Sequence, residues 1–289
     1  MPLICAVTNQ KGGVGKTTTA VNVAAYLAGG GRRLLLVDLD PQGNASSGLG
    51  LARDPDRPSV YTVVIDGQPT RDAIVPGPID RLAILPSDLA LAGAEIELIN
   101  MPRREHRLAY ALDGVADDYD LVIVDCPPSL GLLTVNALVA ATHLLIPIQC
   151  EFYALEGLGH LTQTLDLVRR SSNPHLQVLG IVMTLFDGRT TLSTQVVEEV
   201  RRGYPELVFE TVIPRNVRLS EAPSYGQSIA QYDPRSRGGQ AYSALTAEVA
   251  ARLWPPPTTS PTEVPVSAGE EEPMATTDPG TMLPDMAGF

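Results

Sequence analysis

Short runs of apolar residues recur along the chain, and most of them are continuous rather than alternating. A continuous run bounded by turn residues is typical of a strand buried on both faces, as in a parallel sheet. Segments with helical periodicity separate these runs, so the pattern predicts an α/β fold. Strands are predicted at 3–8, 33–37, 82–86, 121–125, 144–148, 178–183 and 209–213. Helices are predicted at 17–27, 88–100, 103–115, 155–168, 190–202 and 237–253, and the segment 50–80 yields no assignment.

A glycine-rich loop joins the first predicted strand to the first predicted helix. It reads QKGGVGKTT from Gln10 to Thr18. Glycines let backbone N–H groups converge on a phosphate, and the start of the helix adds unpaired N–H groups and the positive end of its dipole. Lys16 would reach the β- and γ-phosphates, and the Thr17 hydroxyl would hold magnesium. The loop therefore predicts a nucleoside triphosphate site, with contacts from Lys11, Gly12, Gly13, Val14, Gly15, Lys16, Thr17 and Thr18.

The loop carries a second lysine that the usual P-loop pattern, G-x-x-x-x-G-K-[ST], does not have. Position 10 is Gln rather than Gly, and Lys11 follows it. Lys11 and Lys16 are the only lysines among the 21 basic Lys and Arg residues. Because the chain otherwise uses arginine throughout, two lysines in one loop indicate a need for a compact ammonium rather than a planar guanidinium.

Carboxylates follow two other predicted strands. Asp38 and Asp40 lie in DLDPQGN, and Asp125 ends the run LVIVD before CPPS. Acids at the carboxyl ends of parallel strands lie where α/β sheets bind ligands. Asp125 would bind magnesium directly or through water. An N-capping role for the aspartates of DLDPQGN is the alternative.

The glycine-rich loop resembles that of the deviant Walker ATPases, a branch of the P-loop NTPases. The strings DLDPQGN, DCPPS and PRNVRLSEAPSYG follow in the order found in the ParA/Soj partition proteins of that group, and the resemblance spans residues 3 to about 254. It implies one doubly wound, mostly parallel sheet flanked by helices, in an ATPase domain at 1–254. The site residues it implies are Lys11, Lys16 and Asp40 for catalysis, and Thr17, Asp38, Asp40 and Asp125 around the metal.

The same resemblance implies where adenine and DNA would lie. Pro214 and Asn216 match positions near the adenine, while Arg189, Arg215 and Arg218 match the DNA-facing region. The cofactors implied are ATP and Mg²⁺. A homodimer would form on ATP, with Lys11 touching the partner's nucleotide, and would bind double-stranded DNA of any sequence. A ParB/Spo0J-like activator would speed an otherwise slow hydrolysis and release the dimer from the nucleoid.

Two other functions stay open at this stage. One is a MinD-like regulator of the division site, and the other is a nucleotide-gated DNA-binding regulator whose hydrolysis is incidental. The predicted tail at 255–289 is acidic and contains eight prolines and no base. Such a segment cannot bury enough apolar surface to fold alone, and anionic lipid would repel it. The tail therefore argues against membrane binding.

The net charge limits how the chain could bind DNA, and the position of the cysteines indicates the redox state of its compartment. The net charge is −12, and omitting the tail leaves 27 acids against 21 bases. DNA binding would therefore depend on a local arginine patch rather than on a global positive field. The three cysteines lie on or beside apolar runs, which favours buried free thiols in a reducing cytoplasm. These thiols are Cys5, Cys126 and Cys150.

Overall fold

The structure is a computed structural model that describes residues 2–151 and 154–255. Apart from Pro255, the predicted tail at 255–289 lies outside the described residues. Within them, one sheet has the strand order β3-β4-β2-β5-β1-β6-β7-β8. The strands are β1 (Ile4–Val7), β2 (Leu34–Asp38), β3 (Val75–Pro76), β4 (Leu82–Leu85), β5 (Leu121–Asp125), β6 (His143–Gln149), β7 (Gln177–Phe186) and β8 (Val208–Pro214).

Neighbouring strands run parallel except at one edge, where β3 pairs antiparallel with β4. The helices are α1 (Lys16–Gly29), α2 (Asn44–Gly48), α3 (Val60–Val64), α4 (Thr70–Ala73), α5 (Leu91–Leu98), α6 (Arg107–Leu112), α7 (Leu132–Ala140), α8 (Ala154–Ser171), α9 (Thr191–Gly203), α10 (Val217–Glu221), α11 (Ile229–Tyr232) and α12 (Arg237–Leu253). Short 3₁₀ helices cover Arg104–His106, Ala116–Asp118 and Ala222–Tyr225. None of the described helices is both long enough and apolar enough to cross a bilayer.

Helices cover both faces of the sheet, and this explains why its strands are apolar throughout. In β5, Val122 and Val124 pack into one core, and Leu121 and Ile123 pack into the other. Successive side chains of a strand point to opposite faces, so both sets need apolar partners. The first core includes residues of α3 and of α5 to α9, and the second includes residues of α1, α11 and α12. The prediction of a doubly wound α/β fold is confirmed.

The helix predicted at 103–115 is shorter and broken. A 3₁₀ turn occupies Arg104–His106, and α6 ends at Leu112. Arg103 and Gly114 both have positive φ, at 51° and 70°, so the backbone leaves the helical region at each end. The unassigned segment 50–80 contains α3, α4 and β3, and four further short helices (α2, α7, α10 and α11) were not predicted either.

The strand order brings three carboxyl ends together at the centre of the sheet. In the register, Asp125 of β5 stands beside Val7 of β1 and Asp38 of β2. The chain passes from β1 to β2, which lies on one side of β1 in the strand order. The later strand β6 pairs with β1 on its other side. Such a switch point opens a crevice at the carboxyl ends of the strands. The loop after β1 therefore starts at the point where an α/β sheet binds its ligand.

Candidate nucleotide site

The loop from Gln10 to Gly15 has the backbone shape that its glycines allow. Gly13 and Gly15 have φ of 74° and 86°, and Gly15 is the N-cap of α1. A Cβ added at Gly13 would meet nothing within 4 Å, so conformation rather than crowding favours glycine there. The N-terminus of a 14-residue helix consequently faces the loop, as anion binding requires.

Three hydrogen bonds from two neighbouring side chains hold the loop in place. The Asn9 side chain donates to the Pro147 carbonyl at 2.8 Å and accepts from the Lys11 amide at 3.0 Å. The Thr184 hydroxyl donates to the Val14 carbonyl at 2.8 Å. The loop is thereby tied to β6 and β7 as well as to β1. The sequence analysis did not identify Asn9 or Thr184, because neither belongs to a motif string.

Lys16 lies inside the loop rather than on its surface. Only 6% of the residue is exposed, and its Nζ donates to the Lys11 carbonyl at 2.9 Å. Burial lowers the pKa of Lys16, while the carboxylates of Asp125 and Asp40 act in the opposite direction. The ammonium is therefore held between the loop backbone and the two acids, and its contact with a bound triphosphate stays a prediction.

Asp125 is the most unusual group of the site. It is 0% exposed, and neither of its carboxylate oxygens has a hydrogen-bond partner among the described residues. Burial and the neighbouring Asp38 raise its pKa well above the ordinary carboxyl value, although the Thr17 hydroxyl and Lys16 oppose the rise. A buried carboxylate without a partner is costly, and a bound cation would remove that cost. The orphaned oxygens therefore fit the predicted magnesium role.

Asp38, unlike Asp125, accepts hydrogen bonds from neighbouring groups. One of its oxygens accepts from the Ser46 amide at 2.8 Å and from the Ser46 hydroxyl at 2.7 Å, and the other accepts from the Asp40 amide at 3.4 Å. Burial raises the pKa of Asp38 to about 6 despite these hydrogen bonds. Asp38 thus holds the start of α2 and the loop before it, and its place near the metal stays a prediction.

Asp40 reaches a groove open to solvent. Its Oδ1 accepts from the Gln42 amide at 2.9 Å, and the residue is 8% exposed. It lines a groove of about 330 Å³ together with Pro41, Pro128 and Glu95. A water molecule in this groove could hydrogen-bond to the carboxylate, and the role of Asp40 in orienting the nucleophile stays a prediction.

A magnesium ion at this site would depend on oxygens from the nucleotide. No three His, Cys, Asp or Glu side chains within residues 2–151 and 154–255 could hold a metal ion together. Mg²⁺ usually keeps several waters and takes one or two carboxylates plus phosphate oxygens. Asp125 and the Thr17 hydroxyl supply that limited set, so the residues present fit the ion.

Lys11 points to a different environment from Lys16. Its ammonium is half exposed and forms an ion pair with the Glu151 carboxylate. The Gln149 side chain donates to the other oxygen of Glu151. The two lysines of the loop therefore have separate roles in the structure, one buried and one at the surface. Glu151 has no motif signal in the sequence, and only the fold brings it to Lys11.

A second cavity lies beside the start of α1, on the side of β7 and β8. Its volume is about 410 Å³. Asn216 lines it, whereas Pro214 ends β8 and is not among the lining residues, and the place of the adenine stays a prediction. Asn216 also caps α10 by accepting from the Arg218 amide at 2.9 Å. Other residues that line the cavity are Gly15, Thr18, Thr184, Leu185 and Arg215.

The three predicted DNA-binding arginines follow two adjacent strands. The Arg215 amide donates to the Phe186 carbonyl at 2.9 Å, which ties the loop after β8 to the end of β7. Arg189 forms a two-pronged pair with Asp187, at 2.8 and 2.6 Å, and holds the pKa of Asp187 down at about 2. Arg218 pairs with Glu221 at 2.9 Å. Exposed pairs of this kind contribute little stability, so a phosphate could replace the carboxylate.

We expect Asp125→Asn to stabilise the chain in the absence of nucleotide. The change removes a buried charge without a partner, so the free energy of unfolding at pH 7 should rise by about 1–3 kcal/mol in urea denaturation. Folding raises the pKa of Asp125, so the folded chain keeps this proton to higher pH and wild type loses stability as the pH rises above 3.8. The gain should therefore be small at pH 4 and grow towards pH 7.

The control for this experiment is Asp117→Asn, which changes an exposed aspartate. It should shift the free energy of unfolding by less than about 0.5 kcal/mol at either pH. An Asp125→Asn variant that is less stable than wild type at pH 7 would show that the carboxylate is not a source of strain.

Known proteins resemble the chain in both sequence and structure. A family model described as an AAA domain matches residues 3–178. The sporulation initiation inhibitor protein Soj of Bacillus subtilis is 53% identical over 251 residues, which cover 87% of this chain and 99% of that protein. The chromosome partitioning protein ParA of Myxococcus xanthus is 52% identical over 253 residues, which cover 88% and 89%.

Solved structures share the fold. The cobyrinic acid a,c-diamide synthase of Mycobacterium smegmatis, with bound ADP and magnesium, has a TM-score of 0.75 and 40% identity, covering 87% of this chain and 95% of that one. The cell division ATPase MinD of Pyrococcus furiosus has a TM-score of 0.70 and 26% identity, covering 86% and 98%. With half of its residues identical to the Soj and ParA proteins over most of both chains, the chain belongs to the ParA/Soj family of chromosome-partitioning ATPases.

Proposed function

We propose that the chain hydrolyses ATP in order to move DNA, by a cycle in which bound ATP pairs two copies and the pair grips DNA. The observation that carries this proposal is the buried centre formed by Lys16 and the unpartnered Asp125 beside the glycine-rich loop. Such a centre has little use in a protein that only binds DNA. It suits a triphosphate with its magnesium ion.

ATP would lie along the loop, with its phosphates against the backbone N–H groups at the start of α1. Lys16 would place its ammonium against the terminal phosphates, where negative charge grows during transfer. Asp125 and Thr17 would hold Mg²⁺, which when bound neutralises phosphate charge. The adenine would occupy the cavity that Asn216 lines. The bound ADP and magnesium of the M. smegmatis structure support this assignment.

Hydrolysis would use Asp40 as the residue that orients water. Its carboxylate lines the groove beside the loop after β5 and is held by the Gln42 amide. A positioned carboxylate can align a water molecule with the phosphorus while other groups take up the charge. The Asp38–Ser46 hydrogen bonds would keep the loop at 40–43 in register with the phosphate site.

Pairing of two copies would use Lys11. Its ammonium is near the surface and pairs with Glu151, so a phosphate of the other copy could take the place of that carboxylate. Exchange of one exposed ion pair for another costs little free energy. DNA would then bind to the arginines at the ends of β7 and β8. Contacts to phosphates carry no sequence information, so this binding would tolerate any sequence.

The partner of this cycle would be a ParB-like protein that speeds hydrolysis and so releases DNA. The Soj and ParA names of the relatives support a role in partitioning. A slow intrinsic rate is part of this proposal, since the Asp40 carboxylate is held by one hydrogen bond, from the Gln42 amide of its own loop, and a partner could hold that loop further.

Asp40→Ala tests the proposed cycle most directly. The variant should bind ATP and DNA like wild type but hydrolyse ATP at least about 100-fold more slowly, because no group orients the water. DNA retention should be measured with ATP, with ADP and without nucleotide, at one stated salt concentration. Wild type should release DNA as ATP is consumed, and the variant should stay bound.

The outcome separates the proposal from its alternatives. A variant that hydrolyses ATP at the wild-type rate removes Asp40 from the mechanism. A variant that hydrolyses no ATP and still releases DNA on the wild-type time course indicates a DNA-binding regulator with incidental hydrolysis. Binding to anionic vesicles that depends on ATP would favour a MinD-like role instead.

Charge reversal at Arg189 and Arg218 tests the DNA surface. The double variant Arg189→Glu/Arg218→Glu should lose DNA binding by about 100-fold or more and keep ATP affinity, because each change removes a phosphate contact and adds a repulsive charge. Binding should be measured by fluorescence anisotropy with a labelled duplex at several salt concentrations. The control is Arg71→Glu, an exposed arginine on α4. Unchanged DNA affinity in the double variant would place the DNA surface elsewhere.

A further inference from the structure

The segment 51–59 lines one side of a cavity behind the loop that follows β2. At one end of this segment the Leu51 amide donates to the Ser46 carbonyl at 3.1 Å. Just past the other end the Val60 amide donates to the Pro86 carbonyl at 2.8 Å. The cavity that these two hydrogen bonds frame has a volume of about 370 Å³. Sites for small molecules have volumes of about 300–1,000 Å³, so the cavity is large enough to hold one.

The walls of the cavity are mostly apolar. Leu51 and Pro55 line it from the segment 51–59, and Pro86 lines it from the turn between β4 and α5. Water in an apolar hollow has few hydrogen-bond partners, so an apolar group gains free energy by replacing it. The cavity is separate from the proposed phosphate and metal site, because none of the residues assigned to that site lines it.

Three of the four charged residues that line the cavity already have partners within the chain. Arg57 forms an ion pair with Asp54, with 3.6 Å between nitrogen and oxygen. The Asp88 carboxylate accepts from the Ser59 hydroxyl with one oxygen and from the Leu91 amide, at 3.2 Å, with the other. The two arginines and two aspartates cancel in net charge. The cavity therefore selects a ligand by the hydrogen-bonding groups that are still unused.

Arg53 is the fourth charged residue, and it holds those unused groups. Its guanidinium donates to the Gln42 carbonyl and makes no ion pair within the part of the chain that the structure describes. A guanidinium presents a planar fork of N–H donors that fits a carboxylate with two parallel hydrogen bonds. An anionic group in the cavity would therefore find its counter-charge at Arg53.

Arg53 also joins the cavity to the loop that carries Asp40. Gln42 accepts from Arg53 through its carbonyl and donates through its amide to Asp40 Oδ1 at 2.9 Å. Gly43 and Ser46, which follow in the chain, line the cavity themselves. A ligand held by Arg53 would consequently restrain the backbone next to the carboxylate that is proposed to orient water.

The size of the cavity limits the ligand to a small molecule. At about 30 Å³ for each water-sized group, 370 Å³ holds on the order of ten non-hydrogen atoms. A short aliphatic chain or a single aromatic ring of that size would cover the apolar walls, and one carboxylate would reach Arg53. A cationic head group would instead meet a like charge at Arg53.

We propose that this cavity is a regulatory site for a small amphipathic carboxylate, which places its apolar part against Leu51 and Pro86 and its carboxylate on Arg53. The bound ligand holds Gln42 through Arg53, keeps Asp40 in the position that orients water and so accelerates hydrolysis. The effect on hydrolysis rests on the proposed function, whereas the binding itself does not.

Two eight-carbon probes test the binding site without reference to hydrolysis. Octanoate and octylammonium share the apolar chain and differ in the sign of the head group. Isothermal titration calorimetry of the full-length chain without nucleotide should show that octanoate binds at least about tenfold more tightly, because only its head group pairs with Arg53. Arg53→Gln should weaken octanoate binding by about tenfold and leave the affinity for octylammonium unchanged.

A second variant fills the cavity, and a third is the matched control. Ala90 is exposed and lines the cavity, so Ala90→Phe should occupy part of the space and weaken octanoate binding by about tenfold. Arg81 is an exposed arginine that also donates to a backbone carbonyl, that of Gly31 at 3.2 Å, and it does not line the cavity. Arg81→Gln should change octanoate affinity by less than about twofold.

Several results of the titrations would overturn the proposal. One is equal affinity of wild type for the two probes, and another is the absence of octanoate binding. An Arg53→Gln variant that binds octanoate as tightly as wild type would remove the arginine from the site. An Ala90→Phe variant with wild-type affinity would show that octanoate binds elsewhere.

The rate of hydrolysis is a separate readout. With ATP and Mg²⁺ present, saturating octanoate should accelerate hydrolysis about fivefold in wild type and in Arg81→Gln, and should not accelerate it in Arg53→Gln. A wild-type chain that binds octanoate through Arg53 and hydrolyses no ATP would remove the proposed function and leave the binding site standing. Binding without acceleration of an active chain would overturn the coupling to Asp40.

Discussion

A carboxylate buried without a partner at the end of β5 is the constraint on which the rest of the site depends. Asp125 is fully buried, stands beside Asp38 in the register and faces the ammonium of Lys16. This arrangement stabilises neither charge well. It becomes favourable when a cation and a phosphate enter, so the fold carries a local instability that its ligand removes. These groups meet at the carboxyl ends of the strands because the strands run parallel and the strand order reverses at β1.

Three of the exposed cations at the proposed contact points form an ion pair with a carboxylate in this structure. Lys11 pairs with Glu151, Arg189 with Asp187, and Arg218 with Glu221. Because solvent screens exposed ion pairs, phosphates could displace these carboxylates at little cost. The buried centre suits a nucleotide with its magnesium ion. In the proposed cycle, the surface pairs would supply contacts that exchange between the chain's own acids, a second copy and DNA.

The sequence predicted the elements whose signals are local and missed those that depend on distant contacts. The helix Arg237–Leu253 was predicted with its bounds, because Ser236 caps its start and prolines follow its end. The short elements within 50–80 were not, since long-range hydrogen bonds hold them rather than a periodic pattern. In the site, the motif strings correctly predicted that the glycine-rich loop and the aspartates lie close together. They did not reveal Ser46 or Glu151, which reach Asp38 and Lys11 only through the fold.

The central claim is that triphosphate joins two copies of the chain through Lys11. Its most direct test is the molar mass in solution, by sedimentation velocity, of wild type and Lys11→Ala saturated with a non-hydrolysable ATP analogue and Mg²⁺. Wild type should double its mass with the analogue and not with ADP, and Lys11→Ala should bind the analogue with similar affinity and stay monomeric. A wild-type chain that remains monomeric when saturated, or a variant that pairs as well as wild type, would contradict the account.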